Sequence, residues 1–163
     1  MPDETLSAEL MSKWEYYTLL SYIEINGKND PKKIAQTLGT TESTVKAILE
    51  NLLQLDIIKI EKNLLKVTGK ILTAPPSFNS ASLKKVHKEY IEKAGSFLME
   101  GDLSTADFSG ITFAVSSKKV KEAAQRIRDF RRSLGQFLSE PGSTDDSVYR
   151  INIQFFPVVP PKN

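Results

Sequence analysis

Between Pro31 and Thr68 the chain reads PKKIAQTLGTTESTVKAILENLLQLDIIKIEKNLLKVT. Val45, Ile48, Leu49 and Leu52 recur at intervals of three and four, which places them on one face of a helix. Ser43, Lys46, Ala47, Glu50 and Gln54 then face outward. Pro31 suits the first helical position after an Asn29 or Asp30 cap, so a shorter helix is predicted from about Pro31 to Leu38. Gly39 ends it, Thr40 or Thr41 caps the next helix, and that helix runs to about Leu55. Ile57, Ile58 and Ile60, followed by Leu64, Leu65 and Val67, predict two short strands joined by a turn near Glu61-Lys62-Asn63. Helix, turn, helix and hairpin in that order predict a winged helix-turn-helix, the arrangement that lays its second helix in the DNA major groove.

On either side the pattern changes. Residues 1–10 hold few apolar groups and are expected to be loosely held or to form a cap. From Met11 to Ile25 more than half of the positions are apolar: Trp14, Tyr17, Leu20 and Ile23 make one face, and Tyr16 and Leu19 widen it. This predicts a helix buried on most of its circumference, with the aromatics as core and Asn26-Gly27 as its stop. Ala74-Pro75-Pro76-Ser77 can continue neither a helix nor a central strand, so a linker is placed at 74–82, between a winged-helix domain at 1–73 and a C-terminal domain at 83–163. Ser82 caps a predicted helix from Leu83 to about Glu100, with Leu83, Val86, Tyr90, Ile91, Ala94, Phe97 and Leu98 on its apolar face.

The last sixty residues alternate differently. Ile111, Phe113 and Val115, then Tyr149, Ile151, Ile153 and Phe155, have the period of two of a strand with one apolar face. Between them Ser117 to Ser139 carries Val120, Ala123, Ala124, Ile127, Phe130, Leu134, Phe137 and Leu138 on one helical stripe. At about 1.5 Å per residue this helix is roughly 33 Å long, enough to return the chain for a parallel pairing with a right-handed crossover. The expected class is α+β, an N-terminal winged helix followed by a small α-β-α-β domain. Two strands alone are marginal; the wing, a further segment or the same strand of a second subunit would complete the sheet, and a homodimer is the favoured reading. Pro157, Pro160 and Pro161 stop the last strand.

Composition narrows the chemistry more than it names it. With 163 residues, 40% of them hydrophobic and 26% charged, the chain is long enough for one or two small folded domains. No apolar run approaches the roughly 18 residues needed to span a bilayer, and the acidic start MPDETLSAEL has no signal-peptide pattern; a cytoplasmic, non-membrane protein is expected. There is no cysteine, which excludes disulfides, thiolate catalysis and Cys-containing zinc sites. The net charge of +2 carries no argument for nucleic acid, but its distribution does. Residues 1–27 carry five acids and one Lys, whereas residues 28–72 carry eight Lys and five acids.

Four phrases carry a resemblance: Trp14-Glu15-Tyr16-Tyr17; Ile34-Ala35-Gln36-Thr37-Leu38-Gly39; Leu83-Lys84-Lys85-Val86-His87-Lys88; and, most specifically, Val148-Tyr149-Arg150-Ile151-Asn152-Ile153-Gln154-Phe155-Phe156-Pro157. In these the chain resembles, over nearly its whole length, a group of uncharacterised bacterial conserved hypothetical proteins with a C-terminal domain of unknown function. The resemblance implies a transcriptional regulator. Members of that group carry a further N-terminal helical segment, so this chain is expected to be either a short homologue or part of a longer protein.

For DNA contact the second helix offers Ser43, Thr44, Lys46 and Asn51, and the wing adds Lys59, Lys62 and Lys66. Glu42 and Glu50 oppose phosphate, and no Arg precedes Arg126. On the long C-terminal helix Lys118, Lys121, Gln125, Arg128 and Arg132 form a basic stripe, and the N–H groups near Ser116 and Ser117 suggest an anion site together with Lys118, Lys121, Arg128 and Arg132. The bland alternative for this stripe is a solvated face. His87, lying beside Val86 and Tyr90, reads as a packed residue, and Asp145-Asp146 as loop caps. No phosphate loop, nucleophile elbow or metal-ligand phrase occurs, so neither an enzyme nor a cofactor nor a metal is expected. Three functions remain: a dimeric regulator binding duplex DNA, a protein-protein adaptor with the winged helix as scaffold, and an anion or nucleotide sensor in the C-terminal domain.

Overall fold

The computed structural model describes residues 2–72, 74, 80–140 and 144–159. It is mixed α+β and mostly helical, with six α-helices and one two-stranded sheet among the described residues. The elements are α1 (Pro2–Met11), α2 (Trp14–Ile25), α3 (Pro31–Leu38), α4 (Glu42–Gln54), β1 (Ile58–Glu61), β2 (Leu64–Val67), α5 (Ser80–Glu100) and α6 (Ser117–Leu138), with a single 3₁₀ turn at Leu103–Thr105. The chain divides into two compact units, residues 1–99 with 146–149, and residues 100–145 with 150–163.

In the first unit α3, α4 and the hairpin lie where the apolar spacing puts them. Asp30 caps α3 by accepting the Lys33 N–H at 3.1 Å. Gly39 ends the helix in the left-handed conformation, φ 70°, a backbone geometry that costs glycine nothing. Thr41 caps α4 by accepting the Thr44 N–H at 3.2 Å. Val45, Ile48, Leu49 and Leu52 are all buried, in one core with Tyr16, Leu19 and Ile23 of α2, Ile34, Ala35 and Leu38 of α3, and Ile57, Ile58 and Leu65 of the hairpin. Past α4, Asp56 takes φ 57°, the left-handed position at which a glycine is the usual choice. The Thr68 hydroxyl donates to the Asp56 carbonyl at 2.8 Å and Lys70 Nζ to the Leu55 carbonyl at 2.7 Å. The Lys70 bond satisfies an acceptor that the end of the helix leaves open, and the Thr68 bond ties the residue just past it to the end of the hairpin.

Residues 1–10 are a correction: residues 2–11 form a helix. Leu10 is fully buried, Ser7 is buried, and Leu6 and Met11 pack against the core. The helix breaks at Ser12, so α2 starts at Trp14 and not at Met11. Burial also rotates α2 from the expected face: Tyr16, Leu19 and Ile23 are buried, while Trp14, Tyr17 and Leu20 are half-buried. α5 packs on α2 and is grouped with the first unit, which sets the grouping apart from the expected domain start at residue 83. Val86 and Tyr90 are its buried residues; of the rest of the expected apolar face Ala94 is half-buried and Leu83, Ile91, Phe97 and Leu98 are exposed, as is His87. Tyr90 Oη donates to the Trp14 carbonyl at 3.1 Å, and the two rings meet edge to face, 6.4 Å between centroids.

Lys93 Nζ lies 3.5 Å from the centroid of the Trp14 ring. Burial lowers the Lys93 pKa below the ordinary lysine value, against a small opposing effect of Glu15. The ammonium is therefore lost at a lower pH in the folded chain than in the unfolded one, and folding is favoured as pH rises through that interval. Trp14 is the sole tryptophan. Its fluorescence should titrate with a midpoint below that of free lysine, and Lys93→Met should remove that transition while leaving the tyrosine one. An unchanged titration in the variant would contradict the contact.

The second unit departs furthest from expectation. α6 spans Ser117–Leu138 as the stripe predicts, but none of its residues is buried. Neither 111–115 nor 149–155 is a strand, and the parallel β-α-β pairing is not formed among the described residues. Two short segments, of five and seven residues, make at most a two-stranded sheet, which is too little ladder to be stable without a further strand. Of the expected linker, residues 75–79 lie outside the described residues, as do Thr73, Pro160 and Pro161.

Candidate nucleic-acid interface

The outward surface of α4 follows from what its inner face must bury. Ser43, Lys46, Ala47 and Glu50 are exposed; Thr44 and Asn51 are half-buried. The Ser43 and Thr44 hydroxyls lie 3.0 and 2.8 Å from the Thr41 hydroxyl, so a hydrogen-bonded cluster stands at the start of the helix. Lys46 Nζ sits 2.7 Å from Glu42 Oε1, one turn back. The hydrogen bond and the charge of Glu42 raise the Lys46 pKa.

The hairpin is antiparallel, with Ile58 opposite Val67, Lys59 opposite Lys66 and Ile60 opposite Leu65. Its loop is Lys62-Asn63, with φ of 50° and 67°. Left-handed conformations at both loop positions match the right-handed twist of the flanking strands. Lys59 and Lys66 share one face and converge on Glu61: Lys59 Nζ lies 3.7 Å from Oε1, and Lys66 Nζ hydrogen-bonds Oε2. The Lys66 hydrogen bond, with Lys59 adding its charge, holds the Glu61 carboxyl below the usual carboxylate range. Lys62 has no carboxylate within ion-pair distance among the described residues. A phosphate approaching this surface would thus have to take Lys46, Lys59 and Lys66 from acids of this chain. Exposed pairs of this kind contribute little because solvent screens them, so such an exchange is cheap.

The sequence gives no local sign of a second surface feature. A groove of about 410 Å³ is lined by Lys13 and Glu15 of the α2 start, Ser43, Thr44 and Ala47 of α4, and Lys85 and Glu89 of α5. Glu89 Oε2 is buried there without a hydrogen-bond partner. Three of the outward α4 positions therefore share a groove with two carboxylates. Residues 72 positions apart in the chain line it together, which no short-range pattern could reveal.

The residues suggested for an anion site are only partly together. Ser116 caps α6 without a side-chain hydrogen bond, and its carbonyl accepts the Lys119 N–H at 2.9 Å. Ser117 and Lys118 stand on the first turn and Lys121 just beyond it. At about 1.5 Å per residue, Arg128 lies roughly 17 Å and Arg132 roughly 23 Å further along the axis, beyond reach of the same ion. Arg128 donates to Gln125 Oε1 at 2.7 Å, and Arg132 pairs with Asp129 at 3.0 Å.

A family model described as a domain of unknown function (DUF4423) matches residues 3–158. The chain belongs to this family. No curated protein and no solved structure matches it. The DUF4423 match runs across both compact units, so α4, the hairpin and α6 all fall inside the family's domain. Among the described residues of this DUF4423 chain no cluster of His, Asp and Glu could hold a metal ion, and no helix is long and apolar enough to cross a membrane.

Proposed function

We propose that this chain is a transcriptional regulator that binds duplex DNA as a homodimer, with α3, α4 and the β1–β2 hairpin acting as a winged helix-turn-helix. The observation that carries the reading is the exposed surface of α4 followed directly by a tight antiparallel hairpin with Lys59, Lys62 and Lys66 exposed. On this reading α4 enters the major groove with Ser43, Thr44, Lys46 and Asn51, and the hairpin lysines meet the flanking phosphates. The absence of arginine from the first 125 residues favours phosphate contact over bidentate guanine readout.

A fluorescence titration with duplex DNA at several salt concentrations tests it. Neutralising Lys46, Lys59 and Lys62 together should weaken binding on every sequence and flatten the dependence of log K on log salt by roughly two to three, about 0.9 per lost contact. Equal affinity and slope in the triple variant would remove DNA from this surface. The adaptor reading rests on a specific observation too: the groove in which Glu15 and Glu89 share space with Ser43, Thr44 and Ala47 suits a polar peptide better than a phosphate backbone. Failure to bind DNA at low salt would favour it.

A further inference from the structure

The second unit is built as half of something. Among its described residues none is buried. Ile111 is 82% exposed, Phe113 53%, Phe130 59%, Phe137 65% and Phe156 67%. Aromatic side chains can each remove about 150–250 Å² from water, so the apolar surface left open on the unit is on the order of 1,000 Å². A standard interface buries about 800 Å² per partner. The polar face of α6 holds Lys118, Lys121, Arg126, Arg128 and Arg132 against Glu122 and Asp129, with ion pairs one turn apart at Glu122–Arg126 and Asp129–Arg132, while Arg131, four residues after Ile127, stands within the apolar stripe and Lys119 at its edge. That face belongs in water, and the opposite stripe must be covered.

We infer that a second copy of this chain covers it, with segment 111–115 of each copy pairing with segment 151–155 of the other. This rests on the homodimer of the reading above and not on its DNA contact. Length is the first argument. The stripe from Val120 to Leu138 runs roughly 27 Å along α6, whereas a five-residue strand such as Ile111–Val115 covers roughly 17 Å. A segment of that length laid along the stripe spans only part of it, so one chain's own segment does not cover its whole length. Strand number is the second argument. Two strands make a marginal sheet and three or more a stable one; two copies contribute four strands, about 20 Å wide, beneath two helices each about 10 Å across. The third argument is chemistry. A lipid surface could accept the stripe of α6, but it would leave the N–H and C=O groups of both extended segments unpaired at an apolar boundary. A second copy supplies strand partners and apolar cover at once, through an isologous contact.

The chain has no cysteine, so cross-links report cleanly. One preparation carries Thr112→Cys or Ala114→Cys, the other Asn152→Cys or Gln154→Cys, all on the polar side of the alternation; the two are mixed, equilibrated and oxidised. A covalent heterodimer of twice the chain mass is expected for at least one combination. Light scattering without DNA should show a dimer that Phe113→Glu converts to a monomer, with the Trp14 fluorescence of the first unit unchanged as proof that it remains folded. A dimer with no cross-link in any combination overturns the strand exchange and leaves the homodimer standing. A monomer at all concentrations overturns both, as does a monomer that binds only vesicles of anionic phospholipid. None of these results depends on whether DNA binds.

Discussion

Replacing Gly27 by Ala should destabilise the first unit by roughly 1–3 kcal/mol, the cost of forcing an atom into a filled site. A Cβ at Gly27 would stand 2.5 Å from the Leu65 carbonyl oxygen. That oxygen belongs to β2, whose Leu65 pairs with Ile60 across the hairpin, and the Leu65 N–H donates to the Gly27 carbonyl at 2.7 Å. Neither backbone can retreat without breaking this bond, and Lys28 bridges Leu64 next to it. Gly39→Ala is the control: Gly39 has φ 70° and nothing within 4 Å of its would-be Cβ, so only the left-handed backbone is charged, at about 1 kcal/mol. Urea denaturation followed by Trp14 fluorescence measures both. A Gly27→Ala loss no larger than that of Gly39→Ala would mean that the α2–hairpin contact is not as close as described.

The largest stability effect is expected at Leu52. It is fully buried, on the inner face of α4, and its carbonyl accepts the Ile57 N–H at 2.9 Å, so it sits where the helix hands over to β1. Helix and hairpin are held on either side of it, which limits collapse into the space that truncation would leave. Leu52→Ala should cost about 2–5 kcal/mol, against less than about 0.5 kcal/mol for an exposed neighbour such as Gln54→Ala. A midpoint shift for Leu52→Ala as small as that for Gln54→Ala would contradict the core assignment.

How much could be read beforehand varies along the chain for physical reasons. The span from Asp30 to Val67 was legible because its signals are local: an Asn29 or Asp30 cap and Pro31 start for α3, Gly39 and a Thr40 or Thr41 cap between the helices, apolar positions at three and four, and a turn near Glu61-Lys62-Asn63. The α4 residues proposed for DNA contact follow from the same stripe, since whatever opposes Val45, Ile48, Leu49 and Leu52 must face outward. The ion pairs that occupy Lys59 and Lys66 were not legible, because they depend on the strand geometry: Lys59 reaches Glu61 two residues along β1 on the same face, and Lys66 reaches it from β2. Nor was α1: its short acidic sequence holds little apolar periodicity, and Leu10 is buried by a core that the rest of the unit supplies. The groove at Glu15, Ser43 and Glu89 requires three separate helices to meet.

In the C-terminal half the alternation at Ile111–Val115 and Ile151–Phe155 and the stripe of α6 are plain, yet within one chain they make a helix with no buried residue and no ladder. Sequence by itself determined the periods, caps and turns, because these depend on backbone sterics and on neighbours within four residues. Tertiary structure alone decided which part of each apolar face is fully covered: that Tyr16 and Leu19 go deeper than Trp14, Tyr17 and Leu20, that α5 docks through Val86 and Tyr90, and that the apolar side of α6 stays open. A period says that a residue has an apolar neighbour to find, but burial depends on which distant surface arrives to meet it.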